Sequence, residues 1–465
     1  MVKNMNRKFI LGVCIVSALG GLLFGYDWVV IGGAKPFYEA YFSIMDNPGM
    51  QGLAMSIALV GCLAGAMGCG ALANRMGRKP LLILSAVLFL ASAYATGAVD
   101  DFTMFLWARL LGGIGIGLAS ALSPMYIAEI APASLRGRLV SLNQLTIVLG
   151  ILGAQIVNML IAEDVPAGLT TQQIVDSWNG QWGWRWMFWA EAFPAVAFLI
   201  LAFFIPESPR WLIMKGYDEK ALKVLRRTGG EEYARREVDE IGKALEAEKG
   251  NAGLGALFSR PFRKVLVLGL VIAFFQQWCG TNVIFNYAQE IFSEAGYELG
   301  DLFFQIVVTG ITNVVFTFVA IYTVDRFGRR FLMLLGAGGL GIIYLILGGC
   351  YTFEVHGAMM TVLVVLAIAC YAMTLGPVTW VLLAEIFPDK IRAVAMATCT
   401  FLLWVGSATL TFTFPYMNTF LGAGFTFWIY SAICICAYIF LYRRCPETKG
   451  RSLEELQREL VKSDK

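Results

Sequence analysis

Asn74-Arg75-Met76-Gly77-Arg78-Lys79 and Asp325-Arg326-Phe327-Gly328-Arg329-Arg330 repeat one pattern, and each closes a long apolar run. Two further pairs of motifs follow them in the same order. Glu129 and Arg136 flank Pro132, and Glu385 and Arg392 flank Pro388 at the same spacing. Pro206-Glu207-Ser208 is matched by Pro446-Glu447-Thr448. Three matching junctions in one order mark a duplicated unit with one copy in each half of the chain.

Between these junctions the sequence is apolar. Of the 465 residues, 58% are hydrophobic and only 15% are charged. A soluble domain is nearer half apolar and a quarter charged. The runs approach or exceed the ~20 residues that cross a bilayer core of about 30 Å. We expect membrane helices at 9–33, 50–73, 80–98, 102–130, 139–162, 185–205, 265–293, 302–324, 331–350, 358–386, 393–419 and 423–442. These are twelve spans in an all-α integral membrane protein. The stretch from Phe9 to about Gly33 is too long for a signal-peptide core of ~7–15 residues, so it reads as the first span.

Charge supports that count. With the N-terminus placed in the cytoplasm, only Lys35, Arg109 and Arg185 of the 36 Lys and Arg residues fall outside cytoplasmic segments or their edges. That is the positive-inside bias, and a wrong number of spans would scramble it. The outer links carry acids instead, among them Asp100, Asp101, Glu163, Asp164, Glu294, Glu298 and Asp301. The expected organisation is a six-helix bundle over 1–206, a cytoplasmic helical linker over 207–263, a pseudo-symmetric second bundle over 264–445 and a cytoplasmic tail over 446–465. The linker reads either as a solvated connection or as a bundle bracing the two halves. The acids and arginines at the junctions (Arg75, Arg78, Glu129, Arg136, Arg326, Arg329, Glu385, Arg392) are expected to form pairs between bundles that close an inner gate.

Enzyme chemistry finds no footing. There is one histidine, His356, in a short polar link. None of the ten cysteines stands in a CxxC pair, and most lie in apolar runs where they read as small hydrophobes. Gly112-Gly113-Ile114-Gly115-Ile116-Gly117 has the look of a dinucleotide loop, but it lies inside an apolar run without a βαβ unit. Close helix packing through small residues is the reading there. No cofactor, metal, nucleotide or nucleic acid is expected; the expected partners are membrane lipid and a small solute.

The motifs as a set resemble the sugar porter family of the major facilitator superfamily. Gly-Leu-Leu-Phe-Gly-Tyr-Asp at 21–27, Pro206-Glu207-Ser208-Pro209-Arg210-Trp211-Leu212 and Pro446-Glu447-Thr448-Lys449-Gly450 carry the resemblance, together with the junctions above, and it covers essentially the whole chain. In pattern the chain is similar to bacterial proton–xylose symporters and, more distantly, to glucose facilitators. This implies alternating access to a monosaccharide, protons as the coupling ion, and a bacterial inner membrane with both termini cytoplasmic. A uniporter or a sugar sensor is the alternative.

The residues themselves suggest what such a cavity would hold. The seventh span carries Gln276, Gln277, Asn282 and Asn286; Gln144 and Asn313 lie in the fifth and eighth, and Trp380 and Trp404 in the tenth and eleventh. Amides both donate and accept, as vicinal hydroxyls require, and an indole offers a flat apolar face. No lysine or arginine besides Arg109, in the fourth span, accompanies them, whereas an anionic substrate would call for more. A neutral polyol fits, with helix–helix adhesion as the alternative use of amides. On a regular helix Gln277 points away from Asn286, so one cavity would need a deformed helix, and Gly280 lies between the pairs. By resemblance, Gln144, Gln276, Gln277, Asn282, Asn313 and Trp380 line the sugar site, Phe24, Gly376 and Trp404 lie near it, and Tyr287 is an outer-gate aromatic. Asn286, Leu403, Ile151 and Trp28 depart from the symporter pattern, which leaves the particular sugar open.

Ionisable groups inside a membrane are costly and usually functional. Asp27 and Arg109 each lie about seven residues from the outer end of their spans, roughly 10 Å deep at 1.5 Å per residue. An ion pair between them would relieve both desolvation costs. By resemblance Asp27 is the protonation site of the symporters and is absent from the facilitators. Glu191 is a second candidate for modulating coupling.

Overall fold

The computed structural model describes residues 5–163, 170–248, 257–259, 262–297, 299–355 and 357–449. His356, Asp164, Glu298, part of the linker and most of the tail lie outside the described residues. Among the described residues the structure is helical, with no strand.

The first repeat begins with α1 (Arg7–Tyr41), α2 (Pro48–Met76), α3 (Arg78–Ala98), α4 (Phe102–Ile130) and α5 (Arg136–Ile161). The sixth span is assembled from a short π-helical stretch (Asn179–Gly183), α7 (Trp184–Ala190) and α8 (Ala192–Ala202), with a short α6 (Thr171–Asp176) before it. α9 (Pro209–Met214), α10 (Asp218–Gly229) and α11 (Glu231–Glu248) form the linker. In the second repeat, α12 (Arg263–Trp278), α13 (Thr281–Asn286) and α14 (Ala288–Glu294) make the seventh span; α15 (Leu299–Phe327) and α16 (Arg329–Thr352) the eighth and ninth; α17 (Ala358–Met373) and α18 (Leu375–Ile386) the tenth.

Among the described residues, eleven stretches are long and apolar enough to cross a membrane. The last of them lies in α19 (Asp389–Arg444), which contains a non-helical glycine, Gly422, at φ 78°. Dividing it there gives the twelve expected spans. Large apolar side chains such as Phe193, Phe204 and Tyr322 are at least 74% exposed, an arrangement suited to lipid contact and unfavourable in water.

The chain separates into two compact units that do not follow the repeat boundary. One comprises Met1–Trp28, Val60–Gly153 and Phe188–Asn251; the other comprises Val29–Leu59, Ala154–Met187 and Ala252–Lys465. Small residues allow close packing inside the first. A side chain at Gly61, Gly65 or Gly117 would strike the backbone of the facing helix, α4 for the first two and α2 for the third. The glycine-rich stretch of α4 thus serves helix packing. The linker helices carry a small core of Leu225, Tyr233 and Ala234 against Met5, and the Asn6 backbone N–H donates to the Thr228 carbonyl at 2.9 Å. The linker therefore docks on the N-terminal segment instead of hanging as a solvated tether.

Candidate functional site

The duplicated junctions build the same device twice. In the first repeat the chain turns at Gly77 (φ 100°), and Glu207 accepts from the backbone N–H groups of Arg78 at 3.0 Å and Lys79 at 3.2 Å. In the second it turns at Gly328 (φ 88°), and Glu447 accepts from those of Arg329 at 3.0 Å and Arg330 at 3.2 Å. The carboxylate satisfies orphan donors at the start of the next helix and complements its dipole. A side chain at either glycine would meet that carboxylate, and positive φ already favours glycine. Burial pushes the Glu207 carboxyl up from its usual range, and the N–H donors oppose the shift.

Among the described residues, one junction arginine–acid pair is made inside each repeat. Arg78 Nε and Nη2 donate to Glu129 at 2.9 and 2.7 Å, and Arg329 Nη2 donates to Glu385 at 3.1 Å. Both of these pairs lie within one repeat, and neither joins the two bundles. Arg78 starts α3 and Glu129 ends α4, so two antiparallel neighbours bring them to the same membrane face. Arg75, Arg136 and Arg326 are exposed, while Arg392 is half-buried with its Nε on the Phe387 carbonyl at 3.1 Å. Arg136 acts electrostatically on Tyr233 and Glu237 of the linker.

Deeper in the first unit, Arg109 Nη1 donates to Asp27 Oδ1, and Nη2 donates to the Asp27 carbonyl at 3.2 Å. Asp27 is fully buried and Arg109 is 2% exposed, with its guanidinium 5.3 Å from the Phe188 ring centroid. Asp27 Oδ2 has no hydrogen-bond partner among the described residues. Gly112 leaves room for that oxygen, since a Cβ there would lie 2.9 Å from it. Glu191, at the break between α7 and α8, is 1% exposed and interacts electrostatically with both Asp27 and Arg109. The cluster holds two acids and one base, so it reaches zero net charge when one proton is bound. Also in this unit, Phe24 lies against Trp28 at 5.3 Å between ring centroids, and Gln144 is half-buried.

The second unit contains the seventh span, and it is broken at Gly280 (φ 86°). The deformation that a single helical face could not supply is therefore present. It turns the amides into a chain. Asn282 Nδ2 donates to Gln277 Oε1, Gln277 Nε2 to Gln276 Oε1 at 2.6 Å, and Gln276 Nε2 to the Tyr371 hydroxyl at 2.7 Å. Asn286 stands apart, its Nδ2 reaching Thr411 Oγ1 at 3.5 Å while its Oδ1 has no partner among the described residues. Tyr287 is buried, donates to the Thr411 carbonyl at 2.6 Å and packs on Phe414. Asn313 and Trp404 are buried and Gly376 half-buried, whereas Trp380 is 37% exposed. Tyr371 and Thr411 escaped the sequence reading, because a tyrosine and a threonine in apolar helices carry no periodic signal.

Twelve spans in two repeats, with an acid–base cluster buried in one unit and an amide chain at a broken helix in the other, define a membrane transporter of the major facilitator fold. A family model described as "Sugar (and other) transporter" matches residues 13–460. The D-xylose-proton symporter of Escherichia coli (strain K12) is 38% identical, over 98% of this chain and 97% of that one. The arabinose-proton symporter of Bacillus subtilis (strain 168) is 36% identical, over 99% and 97%. The inward open structure of the xylose transporter XylE from E. coli superposes with a TM-score of 0.84 at 37% identity, covering 96% of this chain and 99% of that one. The chain belongs to the sugar transporter family, and it is a multi-pass membrane protein and not an enzyme.

Proposed function

We propose that the protein is a proton-coupled symporter of a neutral pentose or hexose, working by alternating access in a bacterial inner membrane with both termini cytoplasmic. The observation that carries the coupling is the buried set of Asp27, Arg109 and Glu191. A permanently neutral structural pair would need no second acid, and two acids sharing one arginine leave room for a proton. The two relatives above are named as proton symporters of xylose and arabinose.

The residues then divide the work. With the outer side open, Asp27 takes a proton, loses its charge and loosens its hold on Arg109. Sugar hydroxyls replace partners in the amide chain of Gln276, Gln277 and Asn282, while indole faces of Trp380 and Trp404 cover the ring. Closure follows, and loss of the proton to the cytoplasm lets Asp27 recapture Arg109. The junction pairs Arg78–Glu129 and Arg329–Glu385 brace the inner helix ends, with Arg75, Arg136, Arg326 and Arg392 anchoring that face. A uniporter with the same sugar site is the rival, since by resemblance the facilitators lack the acid at Asp27. The test is accumulation in proteoliposomes: an imposed pH gradient concentrates the sugar if the reading is right, and only equilibrates it if the protein is a uniporter.

A further inference from the structure

Lys35 was legible in the sequence only as a stray outer cation. In the structure it is 5% exposed and lies inside α1, which continues to Tyr41. Its ammonium is 2.9 Å from Glu39 Oε1, one helical turn on, and is ion-paired to Glu290 of α14. The same ammonium lies 5.5 Å from the centroid of the Tyr287 ring. Lys35 belongs to the first sequence repeat and Glu290 to the second, yet both lie in one compact unit. The surrounding contacts are tight. Gln289 Nε2 donates to the Gly33 carbonyl at 3.1 Å, and a Cβ at Gly32 would crowd the Asn286 carbonyl. Gly32 and Gly33 also line a cavity of about 10 Å³, together with Val29, Gln155 and Asn158 among others. It has room for about one water. Gln155 is 1% exposed, and both its amide atoms lack partners among the described residues.

We propose that Lys35, Glu39 and Glu290 form a charged latch that holds the outer mouth shut and must part for the outer side to open. The inference rests on the proposed alternating-access reading for what opening means. One carboxylate suffices to compensate the buried ammonium, and Glu290, whose side chain is 26% exposed, is the one that water can take over. When the outer ends of α1 and α14 separate, Lys35 stays with Glu39, its neighbour on the same helix, and gives up Glu290 to water. Glu39 thus keeps the lysine compensated during opening, while Glu290 provides the breakable bond. Tyr287 lies under the lysine, so the aromatic gate and the latch move together. Gln155 and Asn158, sealed here beside the latch, become wetted when it opens.

The test places a reporter beside the latch. Gln155→Cys is introduced with the native cysteines replaced, and its reaction with a membrane-impermeant maleimide is timed in right-side-out and inside-out vesicles. Glu290→Gln and Lys35→Met weaken the latch, and Lys35→Arg preserves it. A partly screened pair is expected to shift opening by about tenfold, so labelling in right-side-out vesicles accelerates roughly that much for Glu290→Gln and Lys35→Met and stays near the parent rate for Lys35→Arg. If Lys35→Met does not fold, Glu290→Gln decides alone, because it keeps the Lys35–Glu39 pair. Parent-like labelling in a folded Glu290→Gln protein overturns the latch and leaves a static ion pair. The readout needs neither sugar nor proton flux. Acceleration seen only in inside-out vesicles would sustain the latch and refute the proposed orientation.

Discussion

Arg78→Ala is the perturbation whose size the structure defines best. Arg78 is 5% exposed and grips Glu129 through two nitrogens, at 2.9 and 2.7 Å; a third, Nη1, caps the Ala73 carbonyl at 3.0 Å. Glu129 also accepts from the Ser208 hydroxyl at 2.5 Å. Truncation leaves the Glu129 side chain, 10% exposed, with the Ser208 hydroxyl as a remaining donor. Removing one partner of a buried pair costs about 3–5 kcal/mol. The Ser208 contact and the option of protonation hold the expected loss near the lower end, about 3 kcal/mol. Arg78→Ala/Glu129→Ala removes the stranded carboxylate and should recover about 1 kcal/mol or more, within the usual range of coupling between contacting residues. Unfolding in detergent micelles by titrated denaturant, followed by tryptophan fluorescence across the four variants of the cycle, measures both quantities. A loss under about 1 kcal/mol, or strict additivity, would refute the argument that this pair is a buried brace.

The other expectations concern the amides, the broken helix and the topology. Gln277→Ala or Asn282→Ala should weaken sugar binding roughly tenfold to a hundredfold, the effect of losing a buried polar partner; calorimetry that finds unchanged affinity in both would assign the amides to helix adhesion. Gly280→Ala places a Cβ 2.9 Å from the Tyr430 ring at a φ of 86°, so it should lower both sugar affinity and melting temperature; a variant with parent values would mean that the break does not shape the site. Both termini should label only from the cytoplasmic side when single cysteines are introduced at positions 3 and 462, and labelling of either from outside intact cells would overturn the topology.

The fold was legible because the features that dictate it are periodic or paired. The junction motifs, the apolar runs and the lysine–arginine bias are repeated signals, and the span at 102–130 coincides with α4. The break at Gly280 was legible from a conflict, since one regular helix cannot face Gln277 and Asn286 the same way. Other boundaries were hidden. α1 runs on through Lys35 and Pro36 to Tyr41, because the lysine is neutralised from Glu39 and from a distant segment that local sequence does not reveal. The tenth span breaks at Thr374 (φ −122°, ψ −89°), where no glycine or proline stands at the break itself. The Lys35–Glu39 spacing of one turn was a signal that could have been read; Glu290 could not, since only tertiary structure brings it there. Similar depth brought Asp27 and Arg109 together on paper, whereas the particular partners of Arg78 and Arg329 were not legible, because charge type alone does not choose between neighbours.

The central claim is that Asp27 carries the coupled proton. Asp27→Asn keeps the side chain's shape, fixes it in a neutral state and leaves Arg109 without its carboxylate. In proteoliposomes given a pH gradient, the account predicts that this variant binds sugar and equilibrates it but does not concentrate it, while the parent protein accumulates it. Uphill accumulation by Asp27→Asn under the same gradient would contradict the account and move the coupling site elsewhere, with Glu191 the next residue to replace.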